Sequence, residues 1–232
     1  MEVRVQRSNY WAMTFFEVLV VVVCAFILAA ILLPILAKVN RSSSRINCAS
    51  NLMQINLAFR IWEGDDNYQY PMAVSVTNGG GREFIEASNV GAFLQVVSNE
   101  LSTTKILICP NDPDHTFATN FNDLNNSNIS YFFSADVSND ANPDTIFDGD
   151  DNFELNGSPV KSGLFDLSSN SLVEWAPGRH SETYRPHPWS FPQKIYFGNF
   201  SFADGSVERL MTWRLQNQLR YVNPETNRIA IP

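Results

Sequence analysis

The sequence predicts an α+β fold in which one long N-terminal helix, membrane-spanning and then amphipathic, packs on an antiparallel β-sheet. Three observations carry this. An uncharged apolar run extends from Val18 to Ala37, close to the roughly 20 residues that a bilayer core requires. Apolar residues then recur at helical spacing through Leu52, Ile55, Phe59 and Trp62. Near the C-terminus two β-like arms, 199–203 and 206–210, flank Asp204-Gly205.

The apolar run is too long for the core of an ordinary secretory signal, and no Ala-x-Ala site follows it, so the segment is expected to stay in the protein. Glu17 stands at its start. A charge within a membrane helix costs about 2.5–3.5 kcal/mol on the milder insertion scale, which singles this carboxylate out. Pro34 lies in the run and predicts a kink. One helix is expected from Thr14 to about Glu63, stopped by Gly64, Asp65, Asp66 and Asn67 and then Pro71. Its second half needs a domain to lie on.

Further along, 90–99 reads as a short helix. Lys105–Cys109, Ile129–Phe133 and Ser171–Trp175 read as strands. The stretches 111–128 and 139–157, rich in Asn and Asp, read as loops, and the proline-rich 183–193 as irregular. Asp204-Gly205 is a type I′ hairpin signal, because both turn positions then need φ > 0. Met211, Leu215, Leu219 and Val222 predict a closing amphipathic helix.

Composition narrows function. The 232 residues carry a formal net charge of −8, which argues against nucleic acid as a partner, since phosphate binding needs clustered Lys and Arg. No Gly-x-Ser-x-Gly is present, and His115, His180 and His187 lack metal-ligand spacing with cysteine, so no enzyme site is expected. Asp148, Asp150, Asn152 and Glu154 have the every-second-residue spacing of a calcium loop. Phe153 stands where such a loop needs Gly, so an acidic surface loop is the alternative. Trp175, Trp189, Phe191 and Tyr196 are either a glycan-stacking surface or local core. Cys24 falls in the apolar run. Cys48 and Cys109 are either a disulfide or two free thiols, depending on compartment and Cα spacing.

Met13-Thr14-Phe15-Phe16-Glu17-Val18-Leu19-Val20 resembles the N-terminal signal of type IV prepilins and type II secretion pseudopilins. The resemblance implies cleavage by a prepilin peptidase between Ala12 and Met13, where the family usually has Gly before the cut, and N-methylation of Met13. Glu17 would then be the fifth mature residue, the position of that family's assembly carboxylate, and Pro34 falls where pilin helices carry a kinking proline. Later segments are similar to large pseudopilin-like families: 48–54, Tyr68–Pro71, Leu107–Pro113, Ser130–Phe132 and the terminal Asn227–Pro232. Gly198-Asn199 and Phe202–Val207 resemble the end of the His-x9-Asp-Gly processing-associated domain, with Asp204 and Gly205 as its Asp-Gly and Lys194 in place of the histidine.

The resemblance implies a leader at 1–12, a transmembrane assembly helix at 13–37, its amphipathic continuation at 38–63 and an extracytoplasmic domain at 64–232. It implies a single-pass protein of the bacterial inner membrane with its C-terminal domain in the periplasm or outside. Lys38, Arg41 and Arg45 follow the span, and by charge alone they would favour the opposite orientation. The implied partners are other pilin-like subunits, a prepilin peptidase, the inner-membrane assembly platform and membrane lipid. Calcium is the only candidate cofactor, since some pseudopilins bind it. The competing expectation is a membrane-anchored protein that binds a glycan or envelope component.

Overall fold

The computed structural model describes residues 14–66, 68–138, 142–167, 170–184, 187, 189–221 and 227–232, with side chains 34–43, 183 and 219–221 set aside. The chain divides into two compact units, Met1–Ser43 and Ser44–Pro232. Helix α1 is Phe15–Asp65. In the first unit its stretch Phe15–Leu33, 19 residues, is long and apolar enough to cross a bilayer, and none of it is buried. Pro34 lies within α1 with its side chain outside the described set.

In the second unit α1 buries Cys48, Leu52, Ile55, Phe59 and Trp62, the face the periodicity predicts. Two short helices follow, α2 (Arg82–Glu86) and α3 (Val90–Val96). The run Lys105–Cys109 is not a strand. Thr103 accepts a hydrogen bond from the Lys105 amide and starts a 3-10 turn at Thr104–Leu107, as N-cap hydroxyls do.

Among the described residues ten strands complete the unit: β1 (Tyr131–Ser134), β2 (Ile146–Asp150), β3 (Phe153–Leu155), β4 (Ser158–Pro159), β5 (Gly163–Leu167), β6 (Val173–Trp175), β7 (Ser181–Tyr184), β8 (Gln193–Phe202), β9 (Val207–Met211) and β10 (Asn227–Ile231), with helix α4 (Thr212–Tyr221) between β9 and β10. The main sheet runs β5-β10-β1-β2-β8-β7, with β9 on the other side of β8; β4-β3-β6 form a second sheet. Every pairing is antiparallel. The acidic stretch 139–157, expected as loop, thus carries β2 and β3.

Both faces of the main sheet are covered. Tyr131, Phe133, Phe147 and Ala230 join the cluster built on α1 to α3. Phe132, Ile146, Phe200, Ile229 and Ile231 join a second cluster with Phe153, Trp175 and Leu215. Such two-sided burial hides a strand from a search for apolar–polar alternation. A β-bulge between Ile146 and Asp148 shifts the register. Ile146 stays in the second cluster, while Phe147 packs on Phe59 and Tyr70 of the first. Asp148 and Asp150 pair with Phe133 and Tyr131, and paired residues share a face. The bulge therefore turns both carboxyls toward α1.

The Asp204-Gly205 hairpin is real but is not a type I′ turn. Gly205 has φ 86, and Asp204 is not among the residues with positive φ. The Gly205 amide bonds to Phe202 O (2.8 Å) and the Phe202 amide to Ser206 O (3.0 Å). This is a three-residue loop with its last residue left-handed.

Candidate functional site

Three places hold polar groups that the fold has taken trouble to arrange. The first is the start of α1. Thr14 N and Oγ1 donate to Glu17 Oε2 (2.7 and 2.9 Å), and the Glu17 amide donates to Thr14 Oγ1 (3.3 Å). This is a reciprocal capping box. The signal Thr-x-x-Glu was legible in the sequence and gives Glu17 a local task. Both residues are exposed. The cleavage and methylation positions, Ala12 and Met13, lie outside the described residues.

The second is a buried polar belt on the α1 side of the main sheet. Ser201 of β8 donates to Asp148, and Asn56 of α1 donates to Ser201 Oγ (3.2 Å) and to Phe202 O (3.0 Å). Asp150 Oδ2 accepts from the Asn199 amide and side chain (2.7 and 2.9 Å) and lies 3.3 Å from His180 Nε2. His180 Nε2 is also 3.6 Å from Cys109 Sγ, and Cys109 is disulfide-bonded to Cys48. Burial pushes Asp148 up to about 8, with Asp150 adding to it and Ser201 opposing, so Asp148 is protonated at neutral pH.

The third is a cleft of about 310 Å³ bordered by Asp114, His115, Asp151, Asn152, Arg179 and the terminal Pro232. Arg179, almost wholly buried, contacts Asp112 and Asp151 and donates to Ser130 O (2.7 Å). His115 Nδ1 is 2.7 Å from Asp112 Oδ2. Burial works to raise Asp112, but its His115 hydrogen bond and the Arg179 charge hold it well below the usual carboxylate range. That same bond raises His115 against the effect of burial, with Asp151 and Asp112 helping. Burial raises Asp151 to about 6, with Arg179 and His115 limiting the rise.

The expected calcium ligands do not form a loop. Asp148 and Asp150 are fully buried strand residues already bonded to Ser201 and Asn199. Glu154 lies in β3 and pairs across to Glu174, while Asn152 donates to Ala176 O (3.4 Å). Among the described residues, the group whose metal-ligating atoms converge is Cys48, Cys109 and His180. The four aromatics separate as well. Trp175 is buried and Tyr196 packs on the same cluster, whereas Trp189 and Phe191 are 96% and 91% exposed.

The C-terminal motif has a physical account. Ser206 N bonds to Asp204 Oδ1 (2.8 Å), which closes the turn, and Arg60 of α1 donates to Asn56 Oδ1 (3.2 Å) and to Ala203 O. The hairpin tip is thereby clamped to the helix. Gly198 has no room for a side chain, since a Cβ there would sit 2.0 Å from the Trp175 ring. Lys194 is exposed on β8 opposite Thr183. The histidine that packs beside Asn199 is His180, which precedes β7. Sequence reasoning set His180 aside for want of ligand spacing with cysteine and gave Arg179 and Asp112 no role; their only signal was an adjacent Arg-His pair and an acid three residues after Cys109. No protein-family model, curated protein or solved structure matches the chain.

Proposed function

We propose that this chain is a pilin-like structural subunit of a type II secretion pseudopilus or type IV-like filament, anchored by α1 in the bacterial inner membrane with its β-domain in the periplasm or outside. The observation that carries this reading lies in the second unit. While one face of α1 packs on the domain, Ile46, Met53, Leu57 and Ile61 stay 67%, 51%, 58% and 47% exposed. They stand at i, i+7, i+11 and i+15, a single stripe on the helix. A helix that is apolar on two faces needs a second partner, and the α1 helix of another copy has matching character. In the first unit the uncovered apolar span and its single acidic residue, Glu17, support the same reading. The Cys48–Cys109 disulfide suits an oxidising compartment.

In this reading a prepilin peptidase cuts between Ala12 and Met13, and the new amine of one subunit neutralises Glu17 of its neighbour. The assembly platform and membrane lipid are the further partners. Leu57→Asp tests the stripe. Because Leu57 is exposed, the substitution is expected to leave the domain's unfolding free energy within about 0.5 kcal/mol of the wild type and to abolish co-assembly with wild-type subunits in a filament pull-down. Undiminished co-assembly would remove the proposed seam.

Exposed Trp189 and Phe191 favour a second reading, a membrane-anchored protein that stacks on an envelope glycan. It predicts that Trp189→Ala weakens retention on purified cell-wall glycan and that Leu57→Asp changes nothing.

A further inference from the structure

We propose that Cys48, Cys109 and His180 form a zinc site that the disulfide closes and reduction opens. Three separate parts of the chain bring these residues together: α1, the segment just after the 3-10 turn Thr104–Leu107 and the segment before β7. All three are buried, and their ligating atoms lie within 4.8 Å of one another. In a tetrahedral zinc site, Zn–S of about 2.3 Å and Zn–N of about 2.0–2.1 Å place sulfur and nitrogen roughly 3.6 Å apart. Cys109 Sγ and His180 Nε2 are 3.6 Å apart here. The cysteine Cα atoms are 5.0 Å apart, and rotation about the Cα–Cβ bonds spreads the sulfurs to the roughly 3.8 Å that such a site needs.

The imidazole itself points the same way. It is 1% exposed, yet its Nε2 contacts are long: 3.3 Å to Asp150, 3.5 Å to Asn199 and 3.6 Å to sulfur. Among the described residues its Nδ1 has no hydrogen-bond partner. A buried histidine with so little satisfaction has coordination to spare. Two thiolates cancel the two positive charges of zinc, which lowers the cost of burying the ion, and Asp150 stands beside the site, 3.3 Å from Nε2.

The chemistry closes without residue. A dithiol reductant delivers two electrons and two protons to the disulfide, giving two thiols and becoming a disulfide itself. Zinc binding then displaces the two thiol protons to solvent. Water fills the fourth position, as in zinc sites with three protein ligands. The site stands independently of the filament reading.

The test uses the full chain in detergent, in a Cys24→Ser background that removes the remaining thiol. The reduced chain, incubated with zinc and freed of excess, is expected to retain a single equivalent by elemental analysis, and the oxidised chain none. Cobalt in place of zinc is expected to show thiolate charge-transfer bands and intense tetrahedral d–d bands. His180→Ala is expected to weaken zinc binding by more than about tenfold, with far-UV circular dichroism checking that fold is kept. Equal uptake by reduced and oxidised chains, no uptake by either, or unchanged affinity in His180→Ala, including binding by an unfolded reduced chain, would each overturn the proposal.

Discussion

Glu17 caps the start of α1, and the proposed filament would give it a second task that one substitution can separate from the first. As the third residue of a capping box it accepts from Thr14 N and Oγ1, and glutamine performs that task as well as glutamate. Neutralising the amine of a neighbouring subunit requires charge. Glu17→Gln is therefore expected to keep the helix and membrane insertion, judged by circular dichroism and carbonate extraction, and to lose filament incorporation. Wild-type incorporation of the Gln variant would reduce Glu17 to a cap. At the same scale, Gly205 shows why the Asp-Gly pair stands where it does. Its φ of 86 is a conformation that residues with a Cβ adopt at a cost of about 1–2 kcal/mol, and the turn it makes presents Ala203 O to Arg60.

At the scale of elements, α1, α3, α4 and the hairpin were legible, while α2 and several strands were not. The stretch Thr14–Glu63 was read from one apolar run and one stripe, and α1 spans Phe15–Asp65. The reading stopped at Leu52, Ile55, Phe59 and Trp62. Ile46, Met53, Leu57 and Ile61 were equally visible but describe a second face, whose meaning depends on knowing which face the domain covers. Strand β2 was missed because Asp148 and Asp150 look solvated in a sequence, and only a bulge plus Ser201 and Asn199 makes them buriable. The cleft was illegible because Asp112, His115, Asp151 and Arg179 come from three distant segments. Arg179 ties those segments together through its contacts with Asp112 and Asp151. Arg179→Met keeps the bulk, leaves Asp151 buried without its guanidinium and leaves Asp112 with His115 alone. It is expected to destabilise the domain by about 3–5 kcal/mol in urea unfolding; a loss under about 1 kcal/mol would show that the network does not hold the cleft together.

For the whole molecule, the buried acids set a pH dependence. Asp148 holds its proton to about pH 8 in the folded chain and loses it near pH 4 in the unfolded one. Between those values the folded state binds more protons, so stability falls as pH rises. Asp151, raised to about 6, adds to this fall. The raised His115 does too, since its contribution is complete below its unfolded value and is lost as pH rises through the folded one. Asp112 works the other way: its depressed value gives stability above about pH 4 that is lost in acid. The domain is thus expected to be more stable at pH 5 than at pH 8.5, by a few kcal/mol at most, with Asp148→Asn flattening that difference. A flat or rising profile for the wild type would contradict the burial of a protonated Asp148.

The central claim is that α1 is processed and then packs with copies of itself. The most direct measurement is the intact mass and N-terminal sequence of the chain taken from native membranes. The account predicts a chain that begins at methylated Met13. A chain that keeps residues 1–12 would contradict it, because no amine would then stand near Glu17.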